Sequence, residues 1–220
     1  MIIDNRIIKH YLKNVMFING TAYAGKSTMV KMLADEFGLI CCGENYDCVP
    51  KGLITPETHP NLCYFQTMRG WQEFVNRTPK EYSDWIAGCT QELIEFEITY
   101  LMSISQRQKV VADTNLPADI LREVADYNQV AIMLSPPQMS VEHFFKRDDA
   151  DKVFLKEQIM KAADPEKTMV NYLDCLAEIN SKKAYDNWAN SGFFTIVRED
   201  AAIDTKQEVL ETLAKHFGLL

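Results

Sequence analysis

Nine consecutive residues, Gly20-Thr21-Ala22-Tyr23-Ala24-Gly25-Lys26-Ser27-Thr28, constrain this chain more than any other stretch. They carry the complete G-x-x-x-x-G-K-[ST] spacing, a pattern with physical meaning only between a strand and a helix. Both flanks are present. Val15-Met16-Phe17-Ile18-Asn19 is a short apolar run of the buried-strand type. Residues 29–37 read as a helix with Val30, Leu33, Ala34 and Phe37 spaced by 3 and 4, and Gly38 stands where a left-handed C-terminal cap is wanted.

Two glycines bracketing a four-residue arch let the backbone turn tightly and aim successive N–H groups inward at phosphate oxygens. The helix that follows adds its own unpaired donors and the positive end of its dipole. In this setting Gly20, Ala22, Ala24, Gly25, Lys26, Ser27 and Thr28 form the cofactor-binding set. Lys26 would reach the β- and γ-phosphates of ATP, Ser27 would offer its hydroxyl to Mg²⁺, and Thr28 would support the helix start. Tyr23, an aromatic in the arch, fits a ligand contact and plain surface exposure equally well.

Further strands are expected at 39–42, 109–113, 130–134 and 193–197, alternating with helices, which predicts a mostly parallel sheet covered on both faces. Residues 44–66, with Pro50, Gly52, Pro56 and Pro60, read as a long loop with little regular structure, of the functional or mobile kind. A helix is expected over 81–103, with Trp85, Cys89, Leu93, Phe96, Tyr100 and Ile104 on one face. Asp119 is read as the cap of a helix reaching Ala125, and Thr205 to Glu208 as a capping box. The whole of 1–220 is expected to be one domain, with an acceptor-binding insertion at about 44–105 and a helical, lid-like insertion at about 139–184.

Asp113 ends an interior strand, where ligands of open α/β sheets bind. It is expected to organise Mg²⁺ or to accept the proton of an attacking hydroxyl, the alternative being a strand-end turn made with Thr114 and Asn115. Phosphoryl transfer also needs positive charge around the transferred group. Arg147 in the lid-like segment is the candidate for that catalytic role, with Lys152 and Lys156 as weaker ones. Arg69 and Arg77 are candidates for the acceptor side, and Arg198 for contact with the nucleotide base.

A net charge of −8 argues against a general nucleic-acid surface, and the apolar runs are too short to cross a membrane. The opening residues do not have the form of a signal peptide. Six cysteines in a chain that needs no staples fit reduced thiols and a cytoplasmic setting. Cys42, Cys48, His59 and Cys63 lack the C-x-x-C spacing of a zinc site. The chain could be a monomer or a homodimer.

In Phe17 to Thr28, Leu33-Ala34, Phe37-Gly38, the Val110 to Asp113 strand, the Val130 to Leu134 strand with Pro136, and the terminal Phe194 to Val197 strand and helix, the sequence resembles the small P-loop kinases. That group includes the nucleoside monophosphate kinases, shikimate kinase and gluconate kinase. The resemblance implies a three-layer α/β/α sandwich with five parallel strands in the order 2-3-1-4-5. It also implies ATP- and Mg²⁺-dependent transfer to a small-molecule acceptor such as a nucleoside monophosphate. By resemblance Asp113 matches the acidic residue of the third strand, Arg147 a lid arginine and Arg69 an acceptor arginine. The run after Asp113, Thr114-Asn115-Leu116-Pro117, departs from the family's patterns, so acceptor identity does not carry over. Two other readings stay open: a nucleotide-binding regulatory protein, and a phosphotransferase acting on a sugar or antibiotic. A GTPase is disfavoured because no Asn-Lys-x-Asp stretch occurs.

Overall fold

The computed structural model describes residues 3–146, 149–199 and 203–220. Five strands, β1 (Val15–Gly20), β2 (Ile40–Cys42), β3 (Val110–Asp113), β4 (Val130–Leu134) and β5 (Phe194–Val197), pair in parallel in the order β2-β3-β1-β4-β5. Helices α1 (Asn5–Leu12), α2 (Lys26–Phe37), α3 (Tyr64–Thr67), α4 (Trp71–Val75), α5 (Pro79–Ile104) and α6 (Ala118–Val124) occupy the chain up to β4. Helices α7 (Pro137–His143), α8 (Ala150–Met160), α9 (Pro165–Ile179), α10 (Lys182–Ala189) and α11 (Lys206–His216) follow it.

Contacts divide the chain into two compact units. The first comprises Met1–Val49, Leu93–Ser135 and Tyr185–Leu220 and contains the whole sheet; the second comprises Pro50–Glu92 and Pro136–Ala184. The sheet is apolar on both faces because successive strand residues point opposite ways. Val15 and Phe17 of β1, Val110 and Ala112 of β3, and Val130, Ile132 and Leu134 of β4 face one core with Leu12, Leu101, Leu121 and Val124. Met16, Ile18, Val111, Ala131 and Met133 face the other, against Met29, Val30 and Leu33 of α2 and Leu210, Leu213 and Phe217 at α11. This three-layer α/β/α sandwich, with its strand order 2-3-1-4-5, is consistent with a P-loop NTPase-like fold.

Several boundaries differ from the sequence expectation for local reasons. β2 begins at Ile40 because the Leu39 N–H bonds the Ala34 carbonyl, closing the cap of α2 around Gly38 at φ 64°. α5 begins at Pro79, where Thr78 and Glu81 bond each other's backbone N–H in a capping box (2.8 and 3.3 Å) and proline suits the first helical position. The most deeply buried stripe of α5 is Ile94, Glu97 and Leu101, and the expected Leu93 and Phe96 flank it half-buried. Asp119 lies inside the first turn of α6, whose cap is Pro117. The box expected at Thr205 does not form: that side chain makes no capping bond, and Asp204 accepts from the Lys206 N–H at 3.2 Å instead.

The second unit has its own core, with Phe74, Val75 and Tyr82 packed on Leu155, Ile159, Tyr172, Cys175 and Leu176. Asp164 caps α9 by accepting from the Lys167 N–H at 3.1 Å, which is why the helix restarts at Pro165. Among the described residues no helix is long and apolar enough to cross a membrane.

Candidate functional site

The loop Gly20 to Gly25 joins the carboxyl end of β1 to the start of α2, at the centre of the sheet. Its path requires residues with positive φ, and Gly20 (130°), Tyr23 (65°) and Gly25 (91°) supply them. At Gly20 the need is double: a Cβ would overlap the Met133 carbonyl oxygen of the neighbouring strand. The loop is pinned from below by polar groups of the sheet. Thr21 N–H bonds the Met133 carbonyl at 3.0 Å, Ser135 N–H bonds Thr21 Oγ1 at 2.7 Å, and Ser135 Oγ donates to the Ala22 carbonyl at 2.6 Å. Asn19 accepts from Gly20 N–H at 2.6 Å and donates to the Leu116 carbonyl at 2.9 Å, tying the end of β1 to the segment after β3.

α2 starts without a side-chain cap, because its N-cap is Gly25, and its first turn contains no acidic residue. The N–H groups of that turn have no carbonyl within the helix to bond, so this end favours an external anion. Lys26 reaches back over the loop and donates to the Thr21 carbonyl at 3.0 Å. Ser27 and Thr28 are exposed, whereas Ala24 is buried. Tyr23 is half-buried, so plain surface exposure does not describe it.

β3 lies beside β1 with Ile18 opposite Asp113, which brings Asp113 to the loop. Ser27 Oγ donates to Asp113 Oδ2 at 2.9 Å and lies 3.4 Å from Glu44 Oε2. Asp113 is only 4% exposed. Burial raises its carboxyl above the ordinary range, and Glu44 adds to this; the Lys26 ammonium and the Ser27 hydrogen bond act in the opposite direction.

Hard oxygen donors, the Ser27 hydroxyl and the Asp113 carboxylate, are the chemistry Mg²⁺ prefers. Among the described residues no group of three or more His, Cys, Asp or Glu could hold a metal unaided. The donor set therefore fits an ion that keeps waters and shares phosphate oxygens.

On the other side of the loop a cavity of about 160 Å³ is walled by Ala24, Gly25, Met29, Met133 and Ile196, with Arg198 at its edge. The Arg198 N–H bonds the Leu134 carbonyl at 2.7 Å, and its Nη1 donates to the Tyr23 carbonyl at 3.2 Å, so this side chain braces the arch.

Arg69 and Arg77 belong to the second unit. Arg69 is 90% exposed along its side chain and pairs with Glu73 at 2.7 Å. The Arg77 guanidinium stacks 3.7 Å from the centre of the Tyr64 ring and 5.3 Å from that of Trp85. Lys152 pairs with Asp149. Arg147 lies outside the described residues.

Glu44, Ser135 and Glu97 belong to the site or its supports and escape the sequence pattern. Glu97 alone leaves a signal, a carboxylate in phase with Ile94 and Leu101 on the buried stripe of α5. Its Oε1 accepts from Thr114 Oγ1, and its Oε2 from the Asn115 N–H at 3.3 Å, one and two residues beyond Asp113. Compared with family models, curated proteins and solved structures, the chain gives no match.

Proposed function

We propose that this chain is an ATP- and Mg²⁺-dependent kinase that phosphorylates a small molecule. The bond from Ser27 to Asp113 carries the reading, because it joins an uncapped helix N-terminus, a lysine and a buried carboxylate at the carboxyl end of a parallel sheet. The fold supports nucleotide binding in general, and the loop geometry supports the finer assignment.

Under this reading the amides from Ala22 to Thr28 hold the phosphates and Lys26 turns from the Thr21 carbonyl to the β- and γ-phosphates. Ser27 and Asp113 would hold Mg²⁺, which supplies positive charge to the phosphate oxygens. The base lies in the cavity edged by Arg198. Glu44, exposed and close to Ser27, takes the proton from the acceptor hydroxyl. The acceptor oxygen bonds the γ-phosphorus as the bond from that phosphorus to the β–γ bridging oxygen breaks, and ADP leaves with the electron pair. The segments at about 44–105 and 139–184 serve acceptor binding and the lid in this assignment, with Arg147 as the lid cation.

Acceptor-dependent ADP release above background hydrolysis tests the reading. Lys26→Ala is expected to reduce it at least ~100-fold, the scale of losing one transition-state charge partner. Release unchanged in that variant would contradict it.

A further inference from the structure

Two chain segments lead away from the groups around Ser27. One runs from Glu44 to Tyr46 and Asp47, the other from Asp113 to Asn115. Both enter the wall of a cavity of about 340 Å³ within the first unit, which Glu97 and Leu93 of α5 complete. A cavity of this size suits a small metabolite. None of the described residues lining it is Lys, Arg or His, whereas Asp47 and Glu97 both are on it.

Glu97 is 2% exposed. Its hydrogen-bond donors, Thr114 Oγ1 and the Asn115 N–H, are neutral. Tyr46 Oη, also buried, approaches the Glu97 carboxylate without making a hydrogen bond of ordinary geometry. A buried carboxylate without a cation costs stability that a cationic partner restores. A phosphorylated or carboxylate-bearing acceptor would bring further negative charge beside Glu97, Asp47, Asp113 and Glu44, and like charges at such range repel.

We infer that the phosphoryl acceptor is a hydroxyl compound carrying a protonated amine, bound in the cavity lined by Tyr46, Asp47, Glu97 and Asn115; this rests on the kinase reading above. The amine pairs with Glu97 and Asp47, Tyr46 Oη meets a polar group of the ligand, and Leu93 covers its carbon skeleton. The hydroxyl faces the Glu44 and Asp113 end. A nucleoside monophosphate, whose phosphate needs cations on the acceptor wall, fits this cavity poorly.

The test compares ADP release by the full chain with three sets of probes in the presence of ATP and Mg²⁺. The amine set is glucosamine, ethanolamine and an aminocyclitol; the neutral set is glucose, glycerol and inositol; the anionic set is glucose 6-phosphate and nucleoside monophosphates. At least one amine probe is expected to give kcat/KM at least about tenfold above its neutral counterpart, with no turnover of the anionic set. Glu97→Gln is expected to raise KM for that probe about tenfold or more while ATP affinity, read by calorimetry, moves less than twofold. Asp47→Asn, at an exposed position, is expected to raise the same KM about threefold and keeps the test valid if Glu97→Gln does not fold. Preferential turnover of neutral or anionic probes overturns the inference. So does an unchanged KM in a folded variant, or nucleotide binding with no amine turned over. A chain that binds no ATP at all overturns the kinase reading beneath it, and the separate calorimetric readout tells the two failures apart.

Discussion

The loop after β1 and the segment from Arg69 to Arg77 both attract a ligand-binding interpretation from sequence, yet they are built on different principles. In the loop the backbone makes the site: three positive φ values, an uncapped helix end and a floor of sheet hydrogen bonds. In the second segment the side chains are committed locally, Arg69 to Glu73 and Arg77 to an aromatic cage of Tyr64, Phe74 and Trp85. A spacing that encodes backbone geometry carries from sequence into space, whereas a single arginine takes its role from neighbours that the sequence does not name.

The paired glycines Gly20 and Gly70 expose this difference most sharply. Gly20→Ala combines left-handed strain with overlap on the Met133 carbonyl, so a loss of roughly 3 kcal/mol or more is expected in chemical denaturation. Gly70→Ala also has positive φ, but its added Cβ meets nothing within 4 Å, and about 1–2 kcal/mol is expected. Equal losses at the two positions would remove the distinction between a built loop and an open turn.

Glu44→Gln is expected to lower kcat about 100-fold while ATP affinity stays within twofold, as for a general base. An equal fall in nucleotide affinity would move Glu44 from proton transfer to phosphate or metal binding. Arg77→Ala is expected to cost about 1–2 kcal/mol of stability by removing the cation from its aromatic rings, without weakening ATP binding. Arg69→Ala, at an exposed ion pair, is expected to leave acceptor KM within twofold; a tenfold rise would return Arg69 to the acceptor side.

A pH series sharpens the same contrast. Burial raises the Glu97 carboxyl above its ordinary 4.5, although the bonds from Thr114 Oγ1 and the Asn115 N–H oppose the rise. The folded chain therefore holds that proton more tightly than the unfolded chain does. The stability this contributes is complete below pH 4.5 and is lost as pH rises through the elevated folded value. Wild type minus Glu97→Gln, measured in urea from acid to neutral pH, should decline across that window. A difference that grows with pH would show that Glu97 has a cationic partner in the folded chain.

The sheet was legible because its strands are short apolar runs and its helices keep 3- and 4-residue spacing, as in Val30, Leu33 and Ala34. Asp113 was legible as a strand-end carboxylate, and its partner Ser27 as part of the loop. Glu44 and Ser135 were not, because each reaches the site only through parallel pairing of strands distant in sequence. Glu97 was hidden by an error of phase: the half-buried aromatics of α5 drew the apolar face slightly off the stripe that is fully buried. The box at Thr78 and Glu81 had the right spacing in the sequence, while Thr205 and Glu208 had the spacing without forming the bond. Spacing permits a cap, but the backbone angles at the first residue decide it.

Calorimetric titration of ATP with Mg²⁺ into the wild-type chain and Lys26→Ala addresses the central claim most directly. A loop that holds the β- and γ-phosphates predicts one site per chain in the wild type and affinity at least about tenfold weaker in the variant, with both equally folded. Equal affinity in the two folded proteins, or no binding to the wild type, would contradict it.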